Sequence, residues 1–476
     1  MAWLLFVAPI AFAILAFLIP SNRARPWVVA IAGLVQLGLV ATAINQPLVQ
    51  GMNGWLLLDP LGKVVLGFTT LLFAACGLYV PGYLAQSRDG NVRVFCTSVL
   101  TFFGVLTLMT ESHHLGLLWV AMEASTLSTA PLLYFHRSAR SLEAVWKYLL
   151  VGSVGIALAL LGCFFLGYAV LCSGRDPSLS LSDLVRDAPY MSRSWLHAAF
   201  VFLLIGYGTK MGLAPMHTWK PDAYGEAPGV VGTLLAGGLT SGAFLAILRS
   251  YRICVAAGEG DFARKPMIAL GLVSMLVAGV FMARQKDFKR MLAYSSVEHM
   301  GILVLGIGIG GAAVFGALLH MVNNGLTKGV LFLSAGNIHR AYASKSTDDV
   351  RGALRRAPFS AGLLLAGYFA ITGSPPFGPF LSEFTIVNAA MVGHHYAVAG
   401  LFLSMLIVVF IGMGATVLSV VQGEPGPLPR APTSRERFST VGPGFILLAL
   451  VLMLGLYIPT SLEHLLRAAA ASLEGR

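Results

Sequence analysis

Five charged side chains fall inside long apolar runs of this sequence. Glu123 sits in "LGLLWVAMEASTLSTAPLLY", Lys147 in "SLEAVWKYLLVGSVG", Lys210 in "FVFLLIGYGTKMGLAP", Lys328 in "LLHMVNNGLTKGVLFLSAG" and Glu383 in "SPPFGPFLSEFTIV". A charge at the centre of a bilayer costs on the order of 3 kcal/mol, so these residues need a reason to be there. One reason is structural: ion pairs that hold a helix bundle together. The other is proton movement. A low-dielectric interior disfavours the charged form of both residue types and makes proton exchange accessible near neutral pH. Making and breaking one Glu–Lys contact then loads and unloads a proton. Lysine suits the task better than arginine, which stays charged, and no arginine falls in the middle of an apolar run.

Polar neighbours extend the same chemistry. His320, Asn324 and Lys328 recur at spacings of four and form a stripe on one helix face. Ser295 and His299 share a face in "AYSSVEHMG", with Glu298 beside them. Histidine relays protons near neutral pH, although a hydrogen-bonded packing role would use the same residue. His113 and His114 fall in a short outer loop and are expected to be solvated.

Two apolar runs are broken by proline. Pro215 and Pro221 interrupt one, and Pro375 and Pro376 in "GSPPFGPF" interrupt another. Pro215 removes a backbone donor close to Lys210 and frees carbonyls there. Irregular backbone at membrane depth survives only when buried in protein or lining a wet cavity. The two breaks lie five helices apart, an odd offset that inverts one unit relative to the other. Paired interrupted spans are the mark of inverted-repeat transport folds.

The elements that carry these residues are membrane spans. Of the 476 residues, 57% are hydrophobic and 11% charged, with mean hydropathy +0.78. Soluble domains carry about 25% charged residues. Fourteen segments are long and apolar enough for helices: 2–20, 27–46, 61–83, 94–111, 115–135, 143–172, 195–225, 228–250, 265–284, 289–309, 312–338, 359–392, 396–421 and 441–460. They do not alternate, so the expected class is an all-α polytopic protein and not a barrel. The first segment lacks a basic flank and a cleavage site, so it is expected to stay as a helix. The polar stretches 173–194, 339–358 and 422–440 are too short for soluble domains.

The net charge of +11 is explained by orientation and not by nucleic acid. With the N-terminus outside, nineteen Lys and Arg fall on inner loops and nine on outer loops and the tail. Both termini are therefore expected outside, with Arg249 to Lys265 as a local exception. Lys63 stands at a helix start beside Asp59 and is expected to snorkel. The five cysteines show no metal-binding spacing and are expected to be mostly small core residues.

The motifs "KMGLAPMHTWKPDAYGEAP", "RMLAYSSVEHMG", "NNGLTKGVLFLSAG" and "GSPPFGPFLSEF" resemble the antiporter-like membrane subunits of respiratory complex I, Mrp-type Na+/H+ antiporters and membrane-bound hydrogenases. The stretch from Leu115 to Leu150 looks most like the hydrogenase-4 F-type subunits and their formate hydrogenlyase relatives. The resemblance covers roughly residues 60–420. It implies fourteen helices with two inverted five-helix units and broken helices 7 and 12. The units are 94–250 and 265–421, flanked by helices in 1–93 and 441–476. Glu123, Lys147, Lys210, His320, Lys328 and Glu383 fall on family motif positions. Two departures stand out. Helix 8 offers only Thr240 and Ser241 where a lysine or histidine is usual, leaving a gap between Lys210 and Lys328 that waters with Thr240, Ser241 and His299 would have to bridge. The usual "HTWLPDAH" reads "HTWKPDAY", with Lys220 and Tyr224 substituted.

The expectation is a proton-translocating subunit in a bacterial inner membrane. It has no cofactor of its own and is driven by other membrane subunits and a peripheral redox arm. Glu123 and Lys210 would form the switchable pair, with Lys147, His299, His320, Lys328 and Glu383 completing the path. An Mrp-type antiporter subunit, or an energy-coupling partner for inorganic carbon uptake, would use the same buried residues. A haem-b quinone oxidoreductase would need paired histidines on facing helices.

Overall fold

The computed structural model describes residues 1–86, 91–424 and 436–475. Arg88, Arg430, Arg435 and Arg476 of the charge count lie outside the described residues. The chain opens with α1 (Ala2–Leu18), α2 (Arg25–Asn45), α3 (Pro60–Leu84), α4 (Val92–Glu111), α5 (Leu115–Leu133) and α6 (Ala139–Leu171). A short α7 (Leu181–Asp187) precedes α8 (Arg193–Met211) and α9 (Trp219–Glu226), which together occupy the seventh expected segment. Then come α10 (Gly229–Thr233), a π-helical turn over Leu234–Leu239, and α11 (Thr240–Ala256), which run as one rod. They are followed by α12 (Gly260–Met282), α13 (Phe288–Ile309) and α14 (Ala312–Tyr342). The short α15 (Ala353–Arg356) leads into α16 (Pro358–Ile371) and α17 (Gly378–Val392), the two halves of the twelfth segment. The chain closes with α18 (Tyr396–Val421), α19 (Phe438–Leu456) and α20 (Thr460–Leu473).

The protein is an all-helical polytopic membrane protein. Among the described residues, nine helices are long and apolar enough to cross a bilayer by length and composition. Each expected segment contains helix. The class carries one small exception, a hairpin between α2 and α3 in which Gln50 pairs with Leu57 and Gly51 with Leu56. The C-terminal tail is also not free: α20 turns Leu466, Ala469 and Leu473 inward and packs on α3, α11 and α14.

Apolar faces sort these helices in two ways. Those at the periphery leave large side chains open on one side, such as Trp27 and Leu34 on α2, Val154 and Phe164 on α6, and Ile407 and Ile411 on α18. Such a face is suited to lipid tails. By contrast, α14 lies in the centre, and its residues from Ala317 to Ile338 are all buried. A helix enclosed on all sides can present His320, Asn323, Asn324 and Lys328 to other protein groups and never to lipid. Helices α6 and α8 approach closely because Gly155 and Gly162 on α6 meet Gly206, Thr209 and Leu203 on α8, where a Cβ would find atoms at 2.6–2.7 Å.

Several charges assigned to loops are interior groups. Arg249 is fully buried on α11. Its guanidinium donates to the carbonyls of Met109 (3.2 Å), Thr110 (2.7 Å) and Ser112 (2.5 Å) at the end of α4, and to Asp59 Oδ1 (3.1 Å). Asp59 in turn caps α3 by accepting from the Gly62 N–H (2.9 Å). Arg249 is thus a clamp between helix ends and not an exception to the loop charge rule. Lys63 is not paired with Asp59; its ammonium donates to the carbonyls of Ile44 (3.1 Å) and Gln46 (2.6 Å) at the end of α2. His113 is buried beside this clamp and not solvated, and His114 is half-buried. Arg25, Lys220 and Lys289, counted with the inner loops, are also buried.

Candidate functional site

Lys210 occupies the last turn of α8 and is 1% exposed. Gly212 ends that helix in the left-handed region, at φ +82°, where a side chain would be strained. The break that follows runs to Thr218 and holds the cis Ala214–Pro215 bond. The carbonyls freed at the helix end are taken by side chains of α9. The Trp219 indole donates to Thr209 O (2.9 Å), and the Lys220 ammonium donates to Met211 O (2.8 Å). The Ala214 N–H is held by Ser274 Oγ on α12 (2.9 Å). The chain itself satisfies these carbonyls.

The Lys210 ammonium does not touch Glu123. It donates to the hydroxyl of Thr126, one turn along α5 from Glu123. Thr126 Oγ1 lies 3.4 Å from Glu123 Oε2, and Ser153 Oγ lies 3.5 Å from Glu123 Oε1. Thr126 therefore bridges the expected pair. The Tyr148 ring, 5.0 Å from the ammonium, supplies its π face, and Tyr148 is held by a 2.7 Å bond between its hydroxyl and Thr129.

Lys147 is displaced from the interior role expected of it. It is 46% exposed and forms ion pairs with Glu143 (2.6 Å) and Asp222 (2.8 Å). About two turns into α6, it reaches only the wall of an open polar cavity of about 550 Å³. Arg290, Asp287, Lys286 and Lys345 line the same cavity. This charged mouth was not foreseen, because its walls come from loops and helix ends far apart in sequence.

Where the eighth span, α10–α11, offers Thr240 and Ser241 in place of a basic residue, α9 places one in the interior. Thr240 donates its hydroxyl to its own helix, at Ala236 O (2.7 Å). Lys220 is fully buried, with its ammonium 3.4 Å from Ser296 O on α13. Gly212 makes room for it: a Cβ there would lie 2.6 Å from Lys220 Cδ. The preceding residue of α13, Ser295, accepts from the Lys328 ammonium through its Oγ (2.7 Å). Two lysines thus converge on adjacent residues of one helix. The substitution of leucine by lysine in "HTWKPDAY" was the signal for this, visible in the sequence but counted with the loops.

Beyond Lys328 the two histidines pair. His299 Nδ1 and His320 Nε2 lie 3.0 Å apart with ring centroids at 5.1 Å. His320 Nδ1 bonds Ser382 Oγ on α17 (2.9 Å). Glu383 follows Ser382 and is 4% exposed. It packs under Gly373, whose φ of +68° and lack of a Cβ leave room for the carboxylate. Glu298, which sequence reasoning noted but did not place on the path, is buried with Oε2 3.8 Å from His299 Nε2. Ser296 Oγ, Glu298 Oε2, His299 Nε2, Asn324 Oδ1 and Glu383 Oε1 have no protein partner. Buried polar atoms of this kind require water or a mobile proton.

The transmembrane family described as NADH:quinone oxidoreductase/Mrp antiporter matches residues 112–409, which carry all the side chains above. A hydrogenase-4 component F homolog of Methylacidiphilum infernorum is 36% identical over 398 residues, covering 83% of this chain and 82% of that protein. NADH-quinone oxidoreductase subunit N of Desulforudis audaxviator is 30% identical over 479 residues, covering 95% and 92%. A chain of respiratory complex I from Thermus thermophilus superposes with a TM-score of 0.76 at 26% identity, covering 96% of this chain and 98% of that one. The chain belongs to the family of antiporter-like membrane subunits shared by NADH:quinone oxidoreductases and Mrp antiporters.

Proposed function

We propose that this chain moves protons through the membrane interior as a subunit of a redox-driven multisubunit complex of hydrogenase-4, formate hydrogenlyase or complex I type. The supporting observation is a series of polar groups within the bundle, from the half-buried Glu123 through the buried Lys210, Lys220 and Lys328 to Glu383, spread across both broken helices and linked in part through Thr126, Ser296 and Ser295. Thr126 passes a proton between Glu123 and Lys210, and the His299–His320 pair passes it between Lys328 and Glu383. Lys147 acts at the aqueous mouth, where it exchanges partners between Glu143 and Asp222. This arrangement fits fourteen spans with two inverted five-helix units, 94–250 and 265–421, in a bacterial cytoplasmic membrane with both termini outside.

The reaction is positional, since a proton transfer needs donor and acceptor within hydrogen-bond reach. Each transfer across the field carries about 2.3 kcal/mol per charge per 100 mV. The driving reaction lies in partner subunits, whose motion would change the Glu123–Thr126–Lys210 contact. Lys210→Met in the assembled complex should abolish proton uptake coupled to the redox reaction. Retained pumping with intact assembly would sink the proposal. Proton flux that follows an imposed Na+ gradient without any redox substrate would instead favour the antiporter reading.

A further inference from the structure

We propose that His299, His320 and Glu383 form a binding site for a divalent transition-metal cation of the Zn2+ class, in the centre of the second half of the bundle. One donor atom from each of the three residues lies within 4.8 Å of the others. The two ring nitrogens that face each other, His299 Nδ1 and His320 Nε2, are already 3.0 Å apart. Two ligands about 2.0–2.1 Å from a tetrahedral ion are separated by a similar span, so the pair needs little movement to take one. Glu383 is 4% exposed, and its Oε1 has no protein partner, so a carboxylate oxygen is free to complete the set. Three protein ligands leave a fourth position for water.

The surroundings match what a metal-bound histidine pair requires. A ligating imidazole keeps its proton on the outer nitrogen and donates it to a carboxylate or other acceptor. For His320 the outer nitrogen is Nδ1, which meets Ser382 Oγ at 2.9 Å. Ser382 donates its own hydrogen to Pro379 O (2.9 Å), so its oxygen is available to accept. For His299 the outer nitrogen is Nε2, with no hydrogen-bond partner and Glu298 Oε2 at 3.8 Å. Glu298 and Glu383 together balance a dication in a setting with no bulk water. The Lys328 ammonium is held on Ser295 Oγ.

The consequence rests on the proposed proton path. A bound ion occupies the nitrogens that hand a proton from ring to ring, so it blocks transfer between Lys328 and Glu383. Binding and blocking are tested separately. Co2+ is titrated into the full chain purified in detergent, and its visible ligand-field absorption reports coordination. The expected result is one Co2+ per chain, with His320→Gln and Glu383→Gln each weakening binding by at least about tenfold. Ser382→Ala leaves all three ligands and should weaken binding by roughly tenfold through loss of the outer partner. No Co2+ binding to the unaltered chain, or binding unchanged in all three variants, overturns the site. Zn2+ is then added to vesicles carrying the complex. Slowed proton uptake supports the block, whereas stoichiometric binding with undiminished uptake overturns the placing of the ring pair on the path while leaving the site intact.

Discussion

The ammonium of Lys210 rests on the hydroxyl of Thr126, and Thr126 lies between it and Glu123. A hydroxyl can accept from one neighbour and donate to the other, so it couples the two charges without a direct ion pair. A direct buried ion pair would resist opening more strongly.

Thr126→Val keeps the shape of the side chain and removes the hydroxyl. A hydrogen bond to a charged group contributes about 1.5–3 kcal/mol, so proton translocation should fall roughly 10- to 100-fold in membrane vesicles. Thr126→Ser should retain most of the rate. Equal rates for Val and Ser variants would remove Thr126 from the path.

In the proposed route Lys220 stands between Lys210 and Lys328, where the eighth span offers Thr240 and Ser241 in place of a basic residue. Lys220→Met retains the unbranched stem that packs on Gly212 but leaves Met211 O without its donor. Stability should drop by about 1–3 kcal/mol, read as a lower melting temperature in detergent. Proton flux should fall at least about tenfold, as befits a lost relay and not a lost fold. Normal flux through a stable Lys220→Met chain would mean that Thr240, Ser241 and water suffice.

Arg249 satisfies three carbonyls at the end of α4 and the cap carboxylate of α3. Arg249→Met removes one partner of a buried pair, a change that costs about 3–5 kcal/mol. Arg249→Lys should rescue little, because an ammonium cannot reproduce the planar fork. The check is the yield of folded protein from membranes and its melting temperature. Proton conduction per folded molecule should stay near normal.

His113, between α4 and α5, carries a pH dependence whose sign follows from its surroundings. Burial, followed by the Arg249 charge, lowers its pKa from 6.5 to about 4, with Asp59 acting the opposite way and Arg252 adding to the lowering. Above pH ~6.5 the ring is neutral in folded and unfolded chains and has no effect. Between ~6.5 and ~4 the unfolded chain takes up a proton that the folded one refuses, so stability falls as the pH falls. The full loss is about 3 kcal/mol. Thermal unfolding in detergent from pH 7 to 4.5 should show this decline, and His113→Gln should flatten it.

Much of the fold was legible in the sequence because a bilayer imposes a simple rule. Apolar length sets helix length, and the twelfth segment broke at Pro375 and Pro376 and the seventh around Pro215 as expected, whereas Pro221 lies inside α9. The inward placing of Lys210, Lys328, His299, His320 and Glu383 was also legible, since a polar residue within an apolar run has no alternative but the interior. Lys147 and Lys220 were not legible. Both lie near segment ends, where one turn decides between solvent and core. Lys147 ended in the open mouth, and Lys220 folded back under the end of α8.

By itself, then, the sequence determined that polar residues deep within an apolar run must be hidden and on which helices, because hydropathy acts along the chain; it did not decide the fate of those near segment ends. Only the tertiary structure decided which of them meet. Thr126 came between Glu123 and Lys210, Lys220 came beside Ser296, and His299 came against His320, because these contacts depend on how close helices approach. That closeness is set by glycines such as Gly155, Gly206 and Gly212, whose missing side chains bring distant segments within hydrogen-bond distance.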